Sequence, residues 1–172
     1  METLTRVCLI GPESTGKSEL AQRLAAHFKA PWVPEFAREY AELLENQLTA
    51  DDVEPIAFGQ LAAMVAGRGS QASGLLILDT DLISTVVYAR HYYNQVPDWV
   101  VSEARSRRAD LYLMMDIDVP WVPDPARDAP GEARQDLFDA FRMALDEFGC
   151  RWVIISGDRE QRFRSAVGEI TK

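Results

Sequence analysis

Short, wholly apolar runs alternate along this chain with longer stretches of helical period. Val7 to Ile10 is apolar throughout and ends at Gly11, which reads as a buried strand. From Ser18 the spacing changes: Leu20, Leu24, Ala25 and Phe28 share one helical face, and Pro31 stops that helix. Trp32-Val33-Pro34 predicts a second, short extended piece closed by Glu35, and 36–48 reads as helix. Asp51-Asp52 looks like the cap of a helix carrying Ile56, Phe58, Leu61, Met64 and Val65. Leu75 to Leu78 is the clearest buried strand and runs into Asp79-Thr80-Asp81; a helix through Val86, Val87 and Tyr88 follows, then Gln95-Val96-Pro97 as a connection. Leu111 to Met115 is the next strand. The segment 119–131 holds Pro120, Pro123, Pro125 and Pro130 and reads as a long loop. Leu137, Phe138, Phe141, Leu145 and Phe148 repeat at helical spacing up to Gly149, before a last strand at Trp152 to Ile155 and a closing helix.

Five short strands separated by helices predict an α/β fold: a parallel sheet with helices on both faces, within a single domain spanning 1–172. Three strands end on an acid, Glu35, Asp79 and Asp116, and ligands of such sheets bind outside the carboxyl ends of the strands. With 47% hydrophobic residues the chain can fill a core without staples. Its net charge of −9 disfavours nucleic acid and anionic membrane surfaces as partners, which leaves small molecules. Cys8 and Cys150 sit in no metal-binding spacing, and no apolar run reaches the ~20 residues of a membrane span. A cytoplasmic protein is expected.

The chemistry is sharpest at Gly11-Pro12-Glu13-Ser14-Thr15-Gly16-Lys17-Ser18, which matches GxxxxGK[ST] between a buried strand and an amphipathic helix. Glycines let successive N–H groups turn into an anion nest, and the helix that follows adds its positive end. Gly11, Ser14, Thr15, Gly16, Lys17 and Ser18 are thus expected to hold ATP, with Lys17 charging the β- and γ-phosphates and the Ser18 hydroxyl on Mg²⁺.

A P-loop by itself does not separate a switch GTPase, a motor and a small-molecule kinase. No NKxD base-reading string occurs. Asp79 closes the third strand, where an acid associated with Mg²⁺ belongs; its alternative is a cap on the next helix. Glu35 closes the second strand on the same edge, where a carboxylate can take a hydroxyl proton; its alternative is a capping or solvated acid. Arg127 lies in the proline-rich loop and Arg134 just after it, placed for a lid that supplies positive charge and excludes water. These features favour a kinase.

Five strings in order, GPESTGKS, PEFAREY at 34–40, LDTDLIST at 78–85, DIDVPWVPD at 116–124 and ISGDREQR at 155–162, resemble the ribosylnicotinamide kinase domain of NadR-type NAD-salvage proteins. The resemblance runs from Arg6 to the C-terminus. It implies a nucleoside-kinase-like P-loop fold and ATP-dependent phosphorylation of nicotinamide riboside at its 5′-hydroxyl. It also implies Glu35 or Asp79 as the acid near that hydroxyl, the Arg127 loop as lid, and Gly157 and Asp158 at the adenine. A cationic pyridinium substrate suits aromatic faces, with Trp121 the first stacking candidate, Tyr88 and Tyr92 others, and Gln60 a polar contact. Only Met1 to Arg6 precede the first strand, so the adenylyltransferase and DNA-binding parts of bifunctional members are not expected in this chain. A kinase for another nucleoside, and a nucleotide-dependent regulatory module, are the rival readings.

Overall fold

In the computed structural model the described residues are 5–45, 47–67, 74–122 and 132–172. They form a five-stranded, wholly parallel sheet in the order β2-β3-β1-β4-β5. The strands are β1 (Thr5–Ile10), β2 (Trp32–Val33), β3 (Leu75–Asp79), β4 (Leu111–Met115) and β5 (Trp152–Ile155). Val7 lies level with Ile77 of β3 on one side and Leu111 of β4 on the other, so β1 is the centre of the sheet. Alternation within β1 then divides the core. Cys8 and Ile10 face one layer, and Val7 and Leu9 face the other.

The layer under Val7 and Leu9 is made by α1 (Lys17–Phe28) through Leu20 and Leu24, and by α7 (Arg159–Ile170) through Ala166. The opposite layer is larger. It gathers α3 (Val53–Gly67), α4 (Leu82–Tyr93), α5 (Asp98–Ser106) and α6 (Glu132–Glu147) over Cys8, Ile10, Leu76 and Leu78. Phe141, Leu145 and Phe148, each without solvent exposure, are the helical stripe that the sequence shows at that spacing. Burying a side chain of that size stabilises by roughly 1.5–3 kcal/mol.

Two elements differ from expectation. The helix after Glu35, α2, covers only Phe36–Leu43; Glu45 turns left-handed at φ 51°, and Thr49 and Asp52 form a capping box that starts a 3₁₀ turn leading into α3. The second difference is α5, which the sequence reading passes over. Its buried face is only Val100 and Ala104, too sparse to show a period. Among the described residues no helix is long and apolar enough to cross a membrane.

The chain goes from β1 to β2 and β3 on one side, then crosses to β4 and β5 on the other. The crevice this leaves over the carboxyl ends of β1, β3 and β4 is where such sheets hold ligands.

Candidate active site

Gly11 leaves β1 at φ 135°, and a Cβ there would stand 3.0 Å from the Met115 carbonyl oxygen. Ser14 at φ 56° and Gly16 at φ 82° complete the curl, and Gly16 is the N-cap of α1. The loop thereby delivers its amides and the N-terminus of α1 to one point. Lys17 is buried, and its Nζ donates to the carbonyls of Gly11 and Pro12 at 2.9 and 2.6 Å. A cavity of about 380 Å³ over the loop is lined by Ser14 through Glu19 together with Glu35 and Arg38.

Ser18 Oγ donates to Asp79 Oδ2 at 2.5 Å, while the buried Asp79 Oδ1 has no hydrogen-bond partner among the described residues. Burial first, and the neighbouring Glu35 charge second, push the Asp79 carboxyl above its ordinary range, against the pull of Ser18 and Lys17. An orphaned carboxylate oxygen beside a hydroxyl fits Mg²⁺, which takes few protein oxygens and keeps water and phosphate for the rest. Asp79 does not cap α4. Asp81 does, accepting from the Ile83 N–H at 2.9 Å.

A second cavity, of about 280 Å³, opens beside the first and is lined by Glu35, Gln60, Thr80, Ser84, Tyr88, Tyr92 and their neighbours. Glu35 occupies the N-cap position of α2 but makes no side-chain cap bond. It is 7% exposed, its carboxylate lies 4.0 Å from Arg38 Nε, and it lines both cavities. The cap bond comes from α3 instead: Gln60 Oε1 accepts the Phe36 N–H at 3.0 Å. Gln60 is 2% exposed rather than solvent-facing, and its buried Nε2 has no partner among the described residues. Tyr88 and Tyr92, one turn apart on α4, lie nearly parallel at 5° with centroids 6.0 Å apart, and the Tyr88 hydroxyl donates to Glu13 Oε2 at 2.9 Å.

The fold brings Glu35, Gln60, Tyr88 and Tyr92 together and leaves Trp121 outside that cavity's lining. Trp121 follows β4 on the phosphate side, where its neighbour Val122 accepts a hydrogen bond from Ser14 Oγ at 2.7 Å. Arg127 lies outside the described residues. Arg134 is not free for a lid role in this arrangement, since its guanidinium donates to the carbonyls of Val119 and Ser14 at 2.9 and 3.0 Å. A third cavity, about 210 Å³, lies between the start of α1 and the start of α7, and is lined by Thr15, Gly16, Leu20, Arg23, Met115, Val119, Arg159 and Arg162 among others. Gly157 and Asp158 form the turn before it. Gly157, at φ 96°, donates its N–H to Asp118, and the Asp158 carboxylate caps α7. Sequence reasoning gave no role to Glu13, Asp81 or Arg162, each at most 4% exposed. Glu13 is a free position of the P-loop pattern, and Arg162 looks like any surface arginine of a charged helix.

A parallel sheet in this order, a P-loop at β1, and an acid shared between a phosphate cavity and a second cavity define a P-loop, nucleotide-dependent kinase domain. The family described as "AAA domain" matches residues 6–162, and the chain belongs to that family. It is 29% identical over 167 residues to the Trifunctional NAD biosynthesis/regulator protein NadR of Escherichia coli (strain K12), across 94% of this chain and 40% of that protein. The protein of the same name from Salmonella typhimurium (strain LT2) is 29% identical over 125 residues, 70% of this chain and 30% of that one. Among solved structures, NadR in complex with NAD and AMP-PNP superposes with a TM-score of 0.76 at 30% identity, and NadR in complex with NR with 0.75 at 29%. Each superposition covers 96% of this chain and 48% of the other. The chain therefore spans less than half the length of these relatives. Thymidylate kinase from Ehrlichia chaffeensis, at 12% identity and TM-score 0.69 over 96% of this chain and 98% of its own, shares the fold.

Proposed function

We propose that this chain, acting as one kinase domain in the cytoplasm, transfers the γ-phosphoryl group of ATP to the 5′-hydroxyl of nicotinamide riboside and so makes nicotinamide mononucleotide. One observation carries the reading. Glu35 is the buried carboxylate at the seam between the phosphate cavity and the second cavity, where an acceptor hydroxyl must meet the γ-phosphorus. The likeness to NadR in complex with NR, at 29% identity, supports the choice of nucleoside.

In this scheme Glu35 accepts the hydroxyl proton as the O5′–Pγ bond forms and the bond from Pγ to the bridging oxygen breaks, releasing ADP. Lys17 and the loop amides hold the phosphates in line. Ser18 and Asp79 would hold Mg²⁺, which supplies positive charge to the phosphate oxygens. The buried Gln60 Nε2, without a partner among the described residues, is offered to an oxygen of the acceptor. Tyr88 and Tyr92 present ring faces to the pyridinium, where cation–π attraction contributes on the order of 1–2 kcal/mol when desolvated. The test is product identity. Incubation with ATP, Mg²⁺ and nicotinamide riboside should give one new phosphomonoester in the ³¹P spectrum, coupled to the 5′ protons. ADP formation without that ester would overturn the reading.

A further inference from the structure

Two buried guanidiniums end on carbonyls of the phosphate loop. Arg162, 4% exposed, donates through Nη1 to the Thr15 carbonyl at 2.8 Å and through Nε to the Gly157 carbonyl at 2.7 Å. Its Nη2 reaches the Asp116 carbonyl at 3.1 Å and pairs with the Asp118 carboxylate. Arg134, 6% exposed, donates to the Ser14 carbonyl at 3.0 Å and the Val119 carbonyl at 2.9 Å. Both arginines tie consecutive loop carbonyls to the segment that follows β4, and Arg162 ties them also to the turn before α7.

The peptide group turns this into a statement about binding. In a trans peptide the C=O and the N–H of the next residue point in opposite directions, and no cis bond occurs among the described residues. Holding the Ser14 carbonyl fixes where the Thr15 N–H points, and holding the Thr15 carbonyl fixes the Gly16 N–H. Left to itself the loop would not keep this arrangement. Ser14 sits at φ 56°, a conformation that a residue with a side chain keeps only when its surroundings hold it there.

We infer that Arg134 and Arg162 are positioning residues that aim the Thr15 and Gly16 amides at the nucleotide's phosphates by pinning the carbonyls behind them. Their contribution is to phosphate affinity, through geometry more than through charge. The planar fork of Arg162 spans three segments at once, which a lysine ammonium cannot do. The inference rests on nucleotide binding and is independent of the acceptor's identity.

The experiment is calorimetric titration of ATP, ADP and adenosine into the full chain and into Arg134→Gln, Arg162→Gln and Arg162→Lys, without acceptor, with thermal melts alongside. Losing a charged hydrogen bond to the loop should weaken ATP and ADP by about tenfold or more. Adenosine should stay within about twofold, and Arg162→Lys should fold yet not restore ATP affinity. Three outcomes would overturn the proposal. Unchanged ATP and ADP affinity in the glutamine variants would leave the arginines no part in aiming the amides. An equal loss for adenosine would make them props for the fold or the base site. Full rescue by lysine would leave only their charge.

Discussion

Glu35 and Asp79 are two buried acids on adjacent strand ends, and their surroundings pull them apart. Asp79 is joined to Ser18, the hydroxyl of the P-loop, whereas Glu35 lines the second cavity as well as the first. Their substitutions should therefore fail differently. Glu35→Gln should lower kcat about 10²- to 10⁴-fold with acceptor KM nearly kept, the range for loss of a general base. Asp79→Asn should raise the Mg²⁺ concentration for half-maximal rate. Steady-state kinetics across a Mg²⁺ series reads both, and wild-type turnover in both variants would remove the two acids from the mechanism. At this scale the sequence was informative where a residue belongs to a rigid pattern, as Lys17 and Ser18 do. It was ambiguous where only the third dimension decides. Gln60 among Phe58, Leu61 and Met64 reads more readily as a solvent-facing residue, until its Oε1 is found on the Phe36 amide and its Nε2 buried.

Among the elements, the strands were legible to within a residue or two because parallel strands buried on both faces are continuous apolar runs. Beyond the short α5 and the early end of α2, one device lies between elements and could not be read. Asp81 caps α4 from a fully buried position, and the Tyr112 hydroxyl on β4 donates to its other oxygen at 2.5 Å. Burial outweighs these hydrogen bonds and raises the Asp81 carboxyl from its ordinary 3.8 to about 6. The folded chain thus holds this proton in a window where the unfolded chain has released it. Stability from this group falls as pH rises between 3.8 and about 6, then stays level. The full difference is about 3 kcal/mol. Asp81→Asn keeps an oxygen for the Ile83 amide and removes the charge. Urea unfolding across that window should show the wild type losing stability relative to the variant as pH rises. Parallel curves would contradict the account.

The whole molecule adds a field and a division of labour. A net charge of −9 on 172 residues concentrates cations, and the buried cations among the described residues are drawn in around one loop: Lys17 on it, Arg134 and Arg162 behind it. In the proposed reading the phosphates meet cations and amides, whereas the second cavity offers the acceptor Glu35, tyrosine faces and the Gln60 donor. On the proposed function, that pairing of the Glu35 carboxylate with tyrosine faces is what would favour a pyridinium riboside over neutral nucleosides. The direct measurement is kcat/KM for acceptor-dependent ADP release with nicotinamide riboside, cytidine and uridine at saturating ATP and Mg²⁺. The account predicts a preference for nicotinamide riboside of about tenfold or more, since each ~1.4 kcal/mol is a factor of about ten. Equal values for the charged and neutral nucleosides would contradict it.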